Sequence, residues 1–237
     1  RLVILAAVCA LSCPALALAQ EDDPDRDLQV LQTDFTVVNL PTTLRVPKFR
    51  SAFRVTHRFY RPLGQGDFSD LLDDFFGLDN GAQIGLEYRF GIMRGTQISI
   101  YRTSEKTIQF AAQHSTLQQK DNGLIGLDVI ARMDGTDNFS DSYSPALGAV
   151  ISREVGSFAA LYFEPIWVNN SNPLPSELAD DNDTFMYGIA GRIRVRPSVY
   201  GVFEYIPRSG YQPGVDHLTF AVEKRVGGHV FQLNFSN

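Results

Sequence analysis

From residue 49 onward the chain alternates apolar and polar side chains with a period of two, the spacing of strands that bury one face only. Ile84, Leu86, Tyr88 and Phe90 share one face, while Gln83, Gly85, Glu87 and Arg89 share the other. Ile125, Leu127, Val129 and Ala131 alternate with Gly126, Asp128, Ile130 and Arg132. Phe185, Tyr187, Ile189, Ile193 and Val195 oppose Gly188, Ala190, Arg192, Arg194 and Arg196. Near the end, Phe231, Leu233 and Phe235 oppose Val230, Gln232 and Asn234. Strands are predicted over residues 51–60, 82–90, 96–103, 107–117, 124–133, 146–153, 157–168, 184–196, 199–206, 217–225 and 229–236. Residues 33–39 read as a weaker, shorter strand. Only residues 67–76, with Phe68, Leu71, Leu72, Phe75 and Phe76, carry a helical period, which predicts a short amphipathic turn.

The connections sort by length. Long ones fall at 61–81, 134–145, 169–183 and 207–216; tight ones fall at 91–95, 154–156, 197–198 and 226–228. If the strands run up and down, the long connections gather at one end and the tight ones at the other, with 103–106 a short exception at the long end. One-sided loop length is expected of outer-membrane barrels. Several spans also approach the roughly 9–11 residues that a tilted strand needs to cross a bilayer.

Alternation alone leaves two architectures open. A soluble lipocalin-like barrel turns its apolar face inward; a membrane barrel turns it toward lipid and keeps charges in the bore. Two features favour the membrane reading. Arg192, Arg194 and Arg196 form a row that acids from other strands (Glu87, Asp128, Glu204, Glu223) can pair within a bore. Aromatics gather near strand ends at Phe59, Tyr60, Tyr88, Phe90, Trp167, Phe185, Tyr187 and Tyr205, where an interfacial girdle would lie.

Composition narrows the function classes. A hydrophobic fraction of 44% in 237 residues fits neither disorder nor a bundle of apolar helices. The 17 Phe, 9 Tyr and 19 Gly suit strands and turns. A net charge of −6 disfavours nucleic acid as a partner. The apolar run 2–19, ending Ala17-Leu18-Ala19 before an acidic stretch, reads as a secretory signal peptide cleaved after Ala19, in a chain whose extreme start is missing. Its removal takes away Arg1 and both cysteines, Cys9 and Cys13, so −6 becomes −7 and no thiolate metal site remains. Three parts are expected: residues 1–19 as the signal, 20–48 as an acidic, irregular N-terminal segment, and 49–237 as the barrel.

A resemblance follows from Phe53-Arg54-Val55-Thr56-His57-Arg58-Phe59, then Phe76-Gly77-Leu78-Asp79 leading into Ile84-Gly85-Leu86-Glu87-Tyr88. It continues through Tyr101-Arg102-Thr103-Ser104-Glu105-Lys106-Thr107 and closes on Gly228-His229-Val230-Phe231-Gln232-Leu233-Asn234-Phe235. In order and spacing these resemble domain-of-unknown-function family 5777, uncharacterised bacterial β-barrels. The resemblance spans nearly everything from Phe49 and implies an outer-membrane barrel assembled by the barrel-assembly machinery, in contact with outer-membrane lipid. It transfers no catalytic residues. The chain departs from the pattern by stopping at Asn237, and its odd strand count departs from the even number of single-chain bacterial barrels. The expectation is an incompletely closed barrel lacking about one final strand, unless residues 33–39 restore the parity.

Chemistry is sparse. His57, His114, His217 and His229 lack zinc spacing, so no metal and no cofactor are expected. His114 and Ser115 are adjacent and on a strand point to opposite faces. The acidic loop residues (Asp134, Asp137, Asp141; Glu177, Asp180, Asp181, Asp183) lack the EF-hand order and read as solvated loops.

The combined expectation is an all-β, up-and-down antiparallel transmembrane barrel of roughly twelve strands when complete. It is exported to the bacterial outer membrane and is no enzyme. Its bore is lined by Arg54, Arg89, Gln109, Asp128, Arg132, Arg192, Arg194, Arg196 and Glu204. The function expected is a narrow pore or a structural envelope component. Two alternatives stay open: a soluble periplasmic barrel binding an apolar ligand, and a lipid-acting barrel enzyme using His114 or His57.

Overall fold

The computed structural model describes residues 30–60, 66–75, 77, 81–119, 123–171, 183–209 and 216–236. Residues 1–29, with both cysteines and the segment read as a signal peptide, and Glu177, Asp180 and Asp181 lie outside them. The strands are β1 (Ser51–Phe59), β2 (Ala82–Met93), β3 (Thr96–Thr103), β4 (Ile108–Leu117), β5 (Gly126–Gly135) and β6 (Tyr143–Val155). There follow β7 (Ala159–Asn169), β8 (Asp183–Arg196), β9 (Val199–Ile206), the two-residue β10 (Arg208–Ser209), β11 (His217–Val226) and β12 (His229–Ser236).

All but β10 form one antiparallel up-and-down sheet in sequence order, β1 through β9, then β11 and β12. β10 pairs with β8 near the end of its loop. Sequential order follows from the short connections, since adjacent antiparallel strands need only a tight turn. β1 pairs with β2 and β12 with β11, and the sheet stays open between β1 and β12. One short helix, α1 (Phe68–Asp73), forms where the helical period was expected, with Asp67 and Asp70 making a reciprocal capping box. The Ser69 hydroxyl and the backbone amides of Ser69 and Asp70 donate to the Asp67 carboxylate and hold it below its usual range.

The face toward the exterior is apolar on every long strand. Phe53, Leu86, Ile100, Phe110, Val129, Leu147, Phe163 and Ile189 point outward on the first eight, and Tyr205, Phe220 and Leu233 continue the belt on the last three. The buried side chains on the opposite face include Arg192, Glu164, Glu204, Glu223 and Asp128. This inverts the polarity of a soluble barrel and matches a lipid-facing wall around a polar bore. Outward aromatics cluster at the long-loop end: Trp167 faces Phe185 across β7 and β8, near Tyr187 and Tyr205. Phe49, Phe158 and Phe231 are exposed toward the tight-turn end.

Residues 33–39 do not form the expected strand. A single isolated bridge joins Thr36 to Pro41, with the Val37 amide donating to the Leu40 carbonyl at 2.7 Å. Residues 30–48 instead fold as an irregular hairpin on the inner side of the sheet, where Leu31, Val37, Val38, Leu40 and Val46 are all buried. The physical reason lies in their partners: the backbone groups of this segment are met by side chains from the barrel wall, so no neighbouring strand is required. The hairpin shares a core with β6–β9 and β11, including Ala160, Tyr162, Ala190 and Tyr200.

The 134–145 loop folds back on its own barrel. Phe139 packs edge-on against outward Phe110 at 5.4 Å and Tyr143 at 5.0 Å. Lys106, in the short β3–β4 connection, pairs with Asp137 at 3.1 Å. The β4–β5 connection falls at the tight-turn end and is longer than the other turns there.

The outward belt predicts an asymmetric response to charge. Ile189→Arg, mid-strand on β8, should cost roughly 2–4 kcal/mol in a bilayer if it lies near the midplane. Ile189→Leu should stay within about 1.5 kcal/mol. Denaturant unfolding from lipid vesicles measures both.

Candidate functional site

The inward positions of the strands converge on the hairpin. Its first arm enters at the tight-turn end, where the Tyr200 hydroxyl and Arg194 guanidinium donate to the Val30 carbonyl at 2.8 and 2.5 Å. The tip, Thr36 to Pro41, lies against β9, β11, β1 and β12. The second arm returns past Ser152 and Gln97: the Thr43 and Ser152 hydroxyls meet at 2.5 Å, and the Val46 amide donates to Gln97 Oε1 at 2.8 Å. The chain then joins β1 through Phe49, whose amide donates to the Gly91 carbonyl at 2.7 Å. Gly91 has no side chain for a reason: a Cβ there would meet the Pro47 carbonyl oxygen at 2.4 Å.

Two buried carboxylates hold the tip. Glu204 on β9 accepts from the amides of Val38, Asn39 and Leu40 at 3.1, 3.0 and 3.1 Å, and from Asn39 Nδ2 at 2.9 Å. Three successive amides converging on one anion form a backbone nest, and each bond is strengthened by the charge. Glu223 on β11 accepts from Arg192 at 3.0 Å, from Gln232 at 3.3 Å and from the Thr33 hydroxyl. Arg192 donates also to the Thr36 carbonyl at 3.1 Å, Gln232 to the Val37 carbonyl at 2.6 Å, and Arg54 to the Val38 carbonyl at 3.2 Å and the Thr36 hydroxyl. Arg54 on β1 and Gln232 on β12 stand on the two open edges, so the hairpin bridges the seam.

Shape complements charge. Leu40 packs against Gly188 on β8, where a Cβ would come within 2.3 Å of its Cδ1. On the other arm, Gln113 on β4 donates to the Thr42 carbonyl and to Asp128 Oδ2, both at 2.7 Å.

Of the residues expected to line the bore, Arg89, Asp128, Arg192 and Glu204 are buried on the inner face, and Arg54, Gln109, Arg132 and Arg194 are half-buried there. Arg89 pairs with Glu87 at 2.7 Å and stacks over Phe35 at 5.2 Å. Of the arginine row, Arg192 meets an acid, and Arg194 donates to the Ser157 and Val30 carbonyls. Arg196 is exposed at the tight-turn rim. A register irregularity between Arg194 and Arg196, just before the β8–β9 turn, takes it out of the row.

Most positions that grip the hairpin and escape sequence reasoning are neutral (Gln97, Gln113, Ser152, Tyr200 and Gln232), with Arg58 and Glu154 the charged ones. Their inward register was legible from the alternation, but their partner was not.

His57 and His114 lie exposed on the outer face, while Ser115, beside His114, is buried inside. His217 alone among the histidines approaches the hairpin, with Nε2 2.9 Å from Asn39 Nδ2. Among the described residues no group of three or more His, Cys, Asp and Glu gathers to hold a metal. Glu164 on β7 is fully buried, with neither carboxylate oxygen hydrogen-bonded.

The nest predicts a local defect. Glu204→Ala should weaken anchoring of the tip by roughly 1.5–3 kcal/mol, the range for charged hydrogen bonds. Amide hydrogen exchange at Val38, Asn39 and Leu40 should then speed by about ten- to a hundredfold, while exchange in β4 and β5 stays unchanged.

Three comparisons with known proteins bear on this arrangement. The family model described as membrane bound beta barrel domain (DUF5777) matches residues 33–237, a span that takes in most of the hairpin as well as the sheet. The crystal structure of the outer membrane protein opdK from Pseudomonas aeruginosa is similar at 14% identity and a TM-score of 0.37, over 65% of this chain. This chain spans about half of that one, 51%. No curated protein sequence matches.

Proposed function

The chain belongs to the membrane-bound β-barrel domain family DUF5777, and from that premise we propose that it is a bacterial outer-membrane barrel whose bore is plugged by its own N-terminal hairpin. It reaches the envelope by a cleaved signal peptide and is inserted by the barrel-assembly machinery. Its long loops face outward and its tight turns face the periplasm, the usual disposition of such barrels. The observation that carries the reading is the hairpin's contact with both walls of the bore at once, from Arg54 on β1 round to Gln232 on β12.

A filled bore favours a resting state without steady conduction. Passage of a solute would require the hairpin to leave, which means breaking the Glu204 nest and the carbonyl contacts of Arg192, Arg54 and Gln232. The barrel thus acts as a structural envelope component at rest, with opening an exceptional event. Catalysis plays no part in this reading. His57 on β1 and His114 on β4 lie on the outer face with two strands between them, and the hydrogen-bond partner of His114 is Thr96 rather than a serine. The outward apolar belt counts against a soluble barrel enclosing an apolar ligand.

Planar-bilayer recording tests the proposal. Refolded full-length protein should give no steady current. A variant carrying Glu204→Ala, Arg54→Ala and Gln232→Ala together should give frequent openings. A steady open channel in the unaltered protein would sink the plugged-bore reading.

A further inference from the structure

Between the hairpin tip and the inner wall of β1–β5 lies a cavity of about 220 Å³. Its lining carries four guanidinium groups, Arg54, Arg58, Arg89 and Arg132, and one carboxylate, Glu87. Three of the four are engaged. Arg54 and Arg89 reach Glu87 at 4.0 and 2.7 Å, and Arg58 donates to Asn39 Oδ1 at 2.5 Å. The fourth is different. Arg132 makes no hydrogen bond or ion pair with any described residue, although it lines the cavity from the middle of the barrel wall.

The surrounding acids do not engage it either. Glu164 and Asp134 act on Arg132 through space, but each keeps buried carboxylate oxygen without a hydrogen-bond partner. A guanidinium fork without a protein partner gains most from an anion that accepts two parallel hydrogen bonds. The rest of the lining is mixed. Gln109, whose side chain hydrogen-bonds Asp134, lines the cavity too, while Ile130, Ala111 and Pro41 supply apolar surface. Inorganic ions have no use for that hydrocarbon wall; a small organic anion does.

We propose that this cavity binds a small organic anion through its carboxylate, with Arg132 as the anchoring fork and Arg58 at the loop-side mouth. The site rests on the reading that the hairpin occupies the bore, because Thr36, Asn39 and Pro41 form one of its walls. It is independent of whether the barrel conducts. Pocket volume restricts the ligand to a few carbon atoms, and the cationic excess favours a dicarboxylate over a monocarboxylate.

The experiment is calorimetric titration of the refolded full chain in detergent micelles with succinate, its uncharged diamide and inorganic phosphate. Folding of each variant is checked by heat-modified gel mobility and circular dichroism. Succinate should bind with one-to-one stoichiometry and weaken as salt rises; the diamide should not bind. Arg132→Gln should weaken succinate at least about tenfold, as loss of a charged bidentate contact implies. Arg132→Lys, which keeps charge but not the fork, should fall between. Should Arg132→Gln fail to fold, Arg58→Gln and the succinate–diamide contrast decide, with Arg58→Gln weakening binding several-fold. The proposal is overturned by absence of succinate binding to folded protein, by equal binding of the diamide, by unchanged affinity in folded Arg132→Gln or Arg58→Gln, or by phosphate binding without succinate. A steady bilayer current alongside intact succinate binding would remove the plugged-bore reading and leave this site standing.

Discussion

A carboxylate turned into a bore that lipid surrounds must find donors inside the protein, and Glu204 finds them in the Val38, Asn39 and Leu40 amides. Much of the interior is organised by the same requirement. Each inward charge that the β-alternation creates is a group that an apolar environment will not accept unpaired. The hairpin is the complementary solution: an irregular segment whose own amides and carbonyls are unsatisfied by any strand. Wall and hairpin satisfy one another around the tip, while Glu164 and Arg132 stay without a hydrogen-bond partner among the described residues.

The same contacts bear on the open seam. β1 and β12 leave backbone groups at the sheet's edges, a costly condition within hydrocarbon. Arg54 and Gln232, one from each edge strand, grip consecutive carbonyls, Val38 and Val37, of one tip. Arg192 takes the preceding carbonyl, Thr36. Three neighbouring carbonyls thus tie β1, β8 and β12 to a common point. That geometry places one hairpin tip in contact with both edge strands.

Close packing limits where the hairpin can sit. Leu40 uses the space left by Gly188, and the second arm passes Gly91 at a separation that excludes any side chain. On the β1–β5 side, Arg54, Arg58, Arg89 and Arg132 line a cavity beside the tip. The bore thus has a closely packed part around Leu40 and the β6–β9 core, and a cavity lined by guanidinium groups beside it.

Period-two alternation needs only neighbouring residues, and so the strands, their facing and the separation of long from tight connections were legible from order alone. Ile189 outward and Arg192 inward follow from parity, because successive side chains on a strand take opposite faces. Arg196 escaped that parity because a local irregularity before a turn interrupts it. Tertiary structure alone decided the fate of residues 30–48. Their 33–39 stretch carries a strand-like pattern, but its hydrogen bonds go to Glu204, Arg192, Arg54 and Gln232, up to 195 positions away. No local window contains those partners. Which carboxylate meets which amide, and which guanidinium is left facing a cavity, depends on how the closing wall brings distant strands around one tip.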